Sequence, residues 1–281
     1  MSSPQATSSS TKSSFFFLTL LIGLSFFSIL HSIEEKQIIV ITASYNNKDV
    51  YKKNLLSLFF QEYDNWRLIY IDDCSTDGTA DLVEAFVYEH KQDDRFTLIR
   101  NTTRHRQLYN QYYAIHSCPK DSIIVILDGD DWLAVSWAFA YINEIYQTKD
   151  VWLTYGQFIY SSTHYIGYCL PLPPDLWPKN PIRTLSWVTS HPRTFYAGLF
   201  QRIAFDDLLY EEYFFPVCAD LAAMFPMLEM AGPDHVHYID SILYIYNDEN
   251  PSHRCDRSLQ LKMESIIRSK QPYTPLMFSP F

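Results

Sequence analysis

Residues 122–132 read SIIVILDGDDW, a run of apolar, mostly β-branched side chains closed by three acids, Asp128, Asp130 and Asp131. Ile123-Ile124-Val125-Ile126-Leu127 shows no polar alternation, which marks a strand buried on both faces, as in a parallel sheet. Carboxylates at the end of such a strand lie on the sheet's carboxyl edge, where open α/β sheets bind ligands. Acids packed this closely repel one another unless a cation sits among them. A hard divalent ion bound through oxygen, itself holding substrate phosphates, meets that need.

Upstream, the same signature occurs twice more. Residues 38–41 (IIVI) run into Thr42-Ala43-Ser44-Tyr45-Asn46-Asn47, and residues 68–71 (LIYI) run into Asp72-Asp73-Cys74-Ser75. Asn47 or Asp49 can cap a helix reaching about Gln61, with Tyr51, Leu55, Leu58 and Phe59 on one face at helical spacing. Asp77-Gly78 is a turn and helix-start signal, and Leu82, Val83, Phe86 and Val87 supply the next buried stripe. Residues 96–99 make a short strand, 107–116 a helix, and 132–147 a further helix after the acids. This alternation predicts a doubly wound, mainly parallel α/β sheet with helices on both faces. Right-handed crossovers then bring the polar ends at 43–47, 72–75 and 128–131 to one edge.

Beyond Asp150 the pattern loosens. Residues 151–160 read as a strand, followed by a loop carrying Pro171, Pro173, Pro174, Pro178 and Pro181. SHPRTF at 190–195 precedes a small apolar segment. Residues 216–230 read as a helix stopped by Gly232, with Pro226 inside it. Residues 235–246 supply one or two strands, and 247–254 is a polar loop. One domain over 37–255 is expected, with a nucleotide half at 37–135 and an acceptor half at 136–255. Residues 256–281 form a tail that frays from about Gln271.

Residues 1–14, rich in Ser and Thr with a single charge at Lys12, read as a disordered tail. Residues 15–33 are an uncharged apolar run closed by Glu34 and Glu35. Its length falls between a signal-peptide core and a full span of roughly 17–25 residues. No small-x-small cleavage site follows. The expectation is an N-terminal hydrophobic helix acting as a single-pass membrane anchor, with secretion after signal cleavage or a cytoplasmic protein as alternatives. Lys12 before the run and two glutamates after it weakly favour a cytoplasmic N-terminus.

At 281 residues and 47% hydrophobic, the chain can bury a substantial core. Its net charge of −10 and lack of a basic patch exclude a nucleic-acid partner, and also attachment to anionic lipid by charge alone. Five scattered cysteines (Cys74, Cys118, Cys169, Cys218 and Cys255) contain no CxxC pair, so buried thiols are the reading, not a zinc site or disulfide framework. Asn101-Thr102-Thr103 matches a glycosylation sequon, a frequent coincidence.

The three strand ends bring an aromatic with amides (Tyr45, Asn46, Asn47), a carboxylate pair (Asp72, Asp73) and the acid cluster together. A nucleoside diphosphate suits such a set: a ring to stack a base, a carboxylate for base or ribose, and acids to hold a metal on the diphosphate. Neither GxGxxG nor GxxxxGK[ST] occurs, so the phosphates depend on the metal and not on a glycine loop. IIVITASYNN, the helix after it, LIYIDDCSTDGT and VILDGDDW, in this order and spacing, resemble family 2 of the inverting GT-A glycosyltransferases over about residues 37–135.

The resemblance implies a GT-A fold, a nucleotide-sugar donor (commonly a UDP-sugar), Mg²⁺ or Mn²⁺, a saccharide or glycolipid acceptor, and a place in cell-envelope polysaccharide synthesis. Tyr45 and Asp73 would border the nucleoside with Asp72 beside them, and Ala43 and Asn47 would complete that strand end. Asp130 would reach ribose or metal, and Asp131 or Asp128 the metal. Ala43 departs from the family's usual proline, and NTTRHRQLYNQ at 101–111 replaces a glycine-rich stretch, which bears on the choice of donor sugar.

An inverting transfer needs a carboxylate to deprotonate the acceptor hydroxyl. By the resemblance this acid lies at a helix start in the second half, where Asp220 stands, with Glu211 and Glu212 as fallbacks. His191, Arg193, His253 and Arg254 are candidate partners of the diphosphate or metal. A nucleotidyltransferase would want a glycine-rich basic first loop, which TASYNN is not. A degenerate, membrane-tethered sugar-binding or scaffold protein would have little use for all the acids of DGDD.

Overall fold

Four strands rich in isoleucine and valine carry the first half of the sheet: β1 (Ile38–Ser44), β2 (Trp66–Asp72), β3 (Phe96–Arg100) and β4 (Ile123–Ile126). All four are parallel, in the order β3-β2-β1-β4. Residues 38–41 and 123–127 are at most 5% exposed, so this part of the sheet is covered on both faces, as the unbroken apolar runs require. The computed structural model describes Met1 and residues 34–173, 182–250 and 256–281, and Glu35–Phe281 forms one unit. The expected tail and apolar anchor at 2–33, Pro174, Pro178, Pro181, His253, Arg254 and Cys255 lie outside the described residues. Among the described residues no helix is long and apolar enough to cross a membrane.

The crossovers in this half are α1 (Tyr51–Phe59), α2 (Thr79–Glu89) and α3 (Arg106–His116). The first is shorter than expected: Asn47 does not cap it by its side chain, which donates to Ser44 Oγ at 3.0 Å instead. The Asp77-Gly78 signal holds. Gly78 takes the left-handed φ of 88° that glycine adopts without strain, and Asp77 Oδ1 accepts from the Thr79 amide at 3.0 Å. Val83, Phe86 and Val87 are buried as expected, but Leu82 is 41% exposed, because the buried stripe of α2 is narrower than the apolar run.

The second half of the sheet is mixed. Strands β6 (Leu153–Tyr160) and β10 (Val236–Tyr246) run parallel to each other. Between β4 and β6 lies β7 (Arg193–Tyr196), antiparallel to both, so the order continues β4-β7-β6-β10, with β5 (Trp132–Leu133) beyond β10. Residues 132–147 are not one helix. Trp132–Leu133 form β5, pairing with β10, and α4 spans Ala138–Thr148.

Beyond β7 come a short helix α5 (Ala197–Phe200), a hairpin of β8 (Leu209–Tyr210) and β9 (Tyr213–Phe214), and α6 (Ala219–Ala231). Every residue of α6 except Asp220 is buried, and Gly232 follows it.

The segment read as a tail contains α7 (Arg257–Ser269), capped by Asp256 and burying Met263 and Ile267. The last residues do not fray. The Leu276 amide donates to Met230 O at 2.8 Å, and Phe281 packs 4.2 Å from the Tyr196 ring. Cys118 and Cys169 are buried free thiols, each pushed up to about 11 by burial.

Candidate functional site at the carboxyl edge

The sheet order lays the site out in a line. From one side to the other, the carboxyl edge carries the ends of β2, β1 and β4, then the start of antiparallel β7, then the ends of β6 and β10. A cavity of about 690 Å³ opens along it. Ala43, Tyr45, Asn47, Asp73, Asp128, Asp130, Arg193 and Asp220 all line this cavity, so eight of the expected site residues meet in one place. Asp72 and Asp131 do not line it, and His253 lies outside the described residues.

The strand ends are tied locally. The Asn46 amide donates to Ser75 Oγ at 2.9 Å, the Asn47 amide to Thr79 Oγ1 at 2.9 Å, and the Thr76 amide to Asn46 Oδ1 at 2.8 Å. Gly129 lets β1 and the acid loop close up: a Cβ there would fall 2.7 Å from Ser44 Cβ.

Asp73 is buried and takes three internal hydrogen bonds, from Asn101 Nδ2 (2.8 Å), the His105 amide (2.8 Å) and the Arg106 amide (2.7 Å). Burial pushes its carboxyl up, but these donors outweigh it and hold the group below the ordinary carboxylate range. Asp73 thereby organises residues 101–106. Asn101 also donates to Asn110 Oδ1 at 2.8 Å, so the sequon's amide is committed to the interior. The loop delivers Arg104 onto Tyr45, with the guanidinium carbon 3.7 Å from the ring centroid. The expected open ring face of Tyr45 is therefore covered by a cation. Arg106 also lines the cavity and reaches Pro216 O at 3.4 Å.

The acids divide by neighbours. Asp128 accepts from Gln107 Nε2 at 2.6 Å and from Arg193 Nη2 at 3.3 Å, and its Oδ2 lies 3.9 Å from His191 Nε2. Asp130 accepts from Asn250 Nδ2 at 2.7 Å. Asp131 is fully buried and accepts from the Tyr244 hydroxyl and the Asn247 amide, both at 2.7 Å. Burial first, then the charges of Asp130 and Asp128, raise its carboxyl well above the ordinary range. Asp72 is likewise turned inward, and its Oδ2 accepts from the Ser75 amide at 3.0 Å. In each pair of adjacent acids, one lines the cavity and the other serves the interior.

Among the described residues, the oxygen and nitrogen atoms that could share one metal ion belong to Asp128, Asp131 and His191, within 4.8 Å of one another. His191 joins Asp128 and Asp131 in this group, and Asp130, expected at ribose or metal, is not among the three. Two carboxylates and an imidazole suit Mg²⁺ or Mn²⁺ in charge and donor type, the imidazole favouring Mn²⁺.

Arg193 is 4% exposed. Burial works against its charge, but Asp128 and Asp220 outweigh that and hold the guanidinium protonated. Asp220 sits in the first turn of α6, two residues after Cys218, whose φ of 60° turns the chain into the helix. Glu211 and Glu212 are exposed in the β8–β9 turn and do not line the cavity.

The sequence model described as "Glycosyl transferase family 2" matches residues 39–207. The chain belongs to that family. Among relatives, TuaG of Bacillus subtilis (strain 168), named as a teichuronic acid biosynthesis glycosyltransferase, is 38% identical over 60 residues, covering 21% of this chain and 23% of TuaG. EpsE of the same organism, also named as a glycosyltransferase, is 34% identical over 92 residues, covering 33% of this chain and 32% of EpsE. The matches thus span between a fifth and a third of these relatives.

In fold, the family 2 chain is similar to S. aureus TarS 1-349 in complex with UDP-GlcNAc, with a TM-score of 0.59, 13% identity and coverage of 82% of this chain and 66% of that one. It is equally similar to the mannosyltransferase PcManGT from Pyrobaculum calidifontis in complex with GDP-Man and Mn²⁺, with a TM-score of 0.59, 18% identity and coverage of 92% and 74%. The GT-A-like mixed α/β fold expected of a family 2 member is present.

Several cavity residues of this family 2 chain escaped the sequence reading. Arg104 and Arg106 lie in the stretch that stands in for a glycine-rich one, and their charge was the available signal. Phe158, Tyr160 and Tyr246 stand at the ends of β6 and β10. The strand-end rule applied to β1, β2 and β4 would have found them.

Proposed function

We propose that the chain is an inverting glycosyltransferase that moves a sugar from a nucleotide-sugar donor, a UDP-sugar first, to a hydroxyl of a saccharide or lipid-linked acceptor. One observation carries the reading: Tyr45, Asn47 and Asp73 at the strand ends, Asp128 and Asp130 of the DGDD motif and the helix-start carboxylate Asp220 line the same cavity. The relatives' names and the nucleotide sugars in the similar structures support the same class of donor.

Asp128, Asp131 and His191, with Asp130 on the wall, would hold a divalent cation, which when bound neutralises the leaving diphosphate. Arg193, buried and charged beside Asp128, adds a fixed positive group next to that position. Asp220 takes the proton from the acceptor hydroxyl as it attacks the anomeric carbon and the nucleoside diphosphate departs. Among the described residues, no side chain or amide donates to the Asp220 carboxylate, whereas Asp73 and Asp128 are engaged by internal donors. A membrane tether through residues 15–33 is part of the proposal, on hydropathy alone.

The test is Mn²⁺-dependent release of UDP from a panel of UDP-sugars, with the anomer of the product read by NMR. Asp220→Asn is expected to lower turnover by about 10²–10⁴-fold, as for loss of a general base, with UDP affinity within twofold. Retention of the donor's anomeric configuration would rule out the inverting step. A protein that binds sugar but releases no UDP from any donor would be a degenerate binder.

A further inference from the structure

We infer that the β6–β10 end of the cavity is the acceptor subsite, and that it holds a pyranose ring against Tyr168, Tyr160 and Tyr246. The inference rests on the glycosyltransferase reading for the donor's pose, the base and the word acceptor; the aromatic platform itself stands on the geometry that follows.

Position along the sheet comes first. The His191 ring, grouped with Asp128 and Asp131, lies 5.9 Å from the rings of both Phe158 and Tyr246, and the Asn247 amide just after β10 donates to Asp131 at 2.7 Å. The aromatic lining therefore begins beside the acids. A donor with its base at β1 and its diphosphate at these groups points its sugar towards β7 and β6. The second substrate must meet it there, where aromatic rings join the lining.

The platform is rigid. Phe158, 1% exposed, is its hub, with ring centroids 5.2 Å from Tyr160, 5.5 Å from Tyr168 and 5.7 Å from Tyr246, all steeply inclined. Tyr168 is not on a loose loop. The Gly167 amide donates to Phe158 O at 2.8 Å, and Ile166 bridges Ile159. A Cβ on Gly167 would sit 2.6 Å from the Phe158 ring, so only glycine brings the chain this close to the hub. Tyr168 stays 48% exposed while lining the cavity, and it stands near enough to Asp220 to feel its charge. An apolar ring face bordered by hydroxyls, beside a carboxylate base, matches a pyranose: its C–H face stacks on aromatic rings and its hydroxyls meet polar groups. A polyol or a simple alcohol has no such face.

The test is saturation-transfer NMR on the full-length protein, free of glycoside detergents and without nucleotide. The probes are the methyl pyranosides of glucose, galactose, mannose and N-acetylglucosamine, against ribitol and glycerol. At least one pyranoside is expected to receive saturation from aromatic protons, with ribitol and glycerol silent. Tyr168→Ala should weaken that pyranoside at least tenfold, and Tyr168→Phe should hold it within threefold. UDP affinity of Tyr168→Ala within twofold of the parent reports an intact fold. Absence of any pyranoside signal, equal signal from ribitol, or an unchanged affinity in Tyr168→Ala would overturn the subsite. Pyranoside binding in a protein that fails to bind UDP would keep the subsite and sink the donor reading instead.

Discussion

In the half of the sheet made by β3, β2, β1 and β4, residues that follow the strands are tied to the next unit along the chain: Asn47 to Thr79, Asp72 to Ser75, Asp73 to residues 101–106. In the half made by β7, β6 and β10, the cavity residues come from the ends of β6 and β10, a short strand, a return loop and a helix start, and the ties join more distant segments. Arg183 binds Glu229, Tyr273 binds Asp207, and Leu276 binds Met230. Apart from the acids after β4, the first half is thus tied between successive strand-helix units. The second half exists only once more distant segments have docked. Damage to long-range ties should therefore fall on the second half first, and damage to ties between successive units on the first half.

The largest effect is expected at Arg183. It is 3% exposed and forks onto Glu229 at 2.7 and 2.8 Å, and its Nη1 donates to Ile267 O at 2.8 Å, pinning α7 to α6. Arg183→Met leaves Glu229 buried without its cation, which costs roughly 3–5 kcal/mol. Urea denaturation should show the loss, with hydrogen exchange rising first in residues 219–231 and 257–269 and only later in β1 and β4. The double variant Arg183→Met/Glu229→Met should recover much of it, because an apolar replacement removes the uncompensated charge. Uniform exchange across both halves would erase the contrast drawn above.

On the nucleotide side the matching change is Asp73→Asn. It removes a charged acceptor of three hydrogen bonds, and such bonds are worth about 1.5–3 kcal/mol. A stability loss of about 2 kcal/mol at pH 7 is expected, with UDP binding weakened as residues 101–106 and Arg104 lose their hold. The pH dependence has a definite sign. The carboxyl titrates lower in the folded chain than in the unfolded one. Its stabilisation is therefore present above the unfolded value of about 3.9 and disappears as pH falls through the folded value. The gap between parent and variant in urea melts should shrink from pH 7 to pH 3. A gap that stays constant would show that shape, and not charge, is what Asp73 supplies.

These contrasts explain what could be read in advance. Residues 38–41 and 123–127 announce buried parallel strands because β-branched runs without alternation suit little else. β7 has no such mark. Arg193-Thr194-Phe195-Tyr196 is buried only because β4 and β6 flank it. The DGDD motif located the site but not the orientation of each acid. Successive side chains at a strand end point opposite ways, so one of Asp72 and Asp73 had to turn inward, whereas Asp130 and Asp131 lie in the turn after β4, where no alternation rule applies. Tyr244 and Asn247, more than a hundred residues on, settle the case of Asp131. Tyr45 lines the cavity, but the guanidinium over its ring depends on how Asp73 folds the loop at 101–106.

The smallest effect sharpens the comparison from the other direction, at a turn whose chemistry contradicts its conformation. Tyr210-Glu211-Glu212-Tyr213 makes a two-residue hairpin, with φ of 48° at Glu211 and 69° at Glu212. Hairpins of this type favour asparagine or glycine, since a left-handed backbone costs other residues roughly 1–2 kcal/mol each. This half of the molecule is tied together despite this local conflict, which is why nothing in the sequence marked β8 and β9. Glu212→Gly relieves one strained residue but gives the unfolded chain more freedom. A net gain of about 0.5–1 kcal/mol is expected, seen as a rise in the urea midpoint with an unchanged slope. UDP affinity should not move, because Glu212 is exposed and does not line the cavity. A loss of stability would mean that Glu212 makes a contribution its position does not explain, and would weaken the claim that distant docking, not local preference, shapes this half.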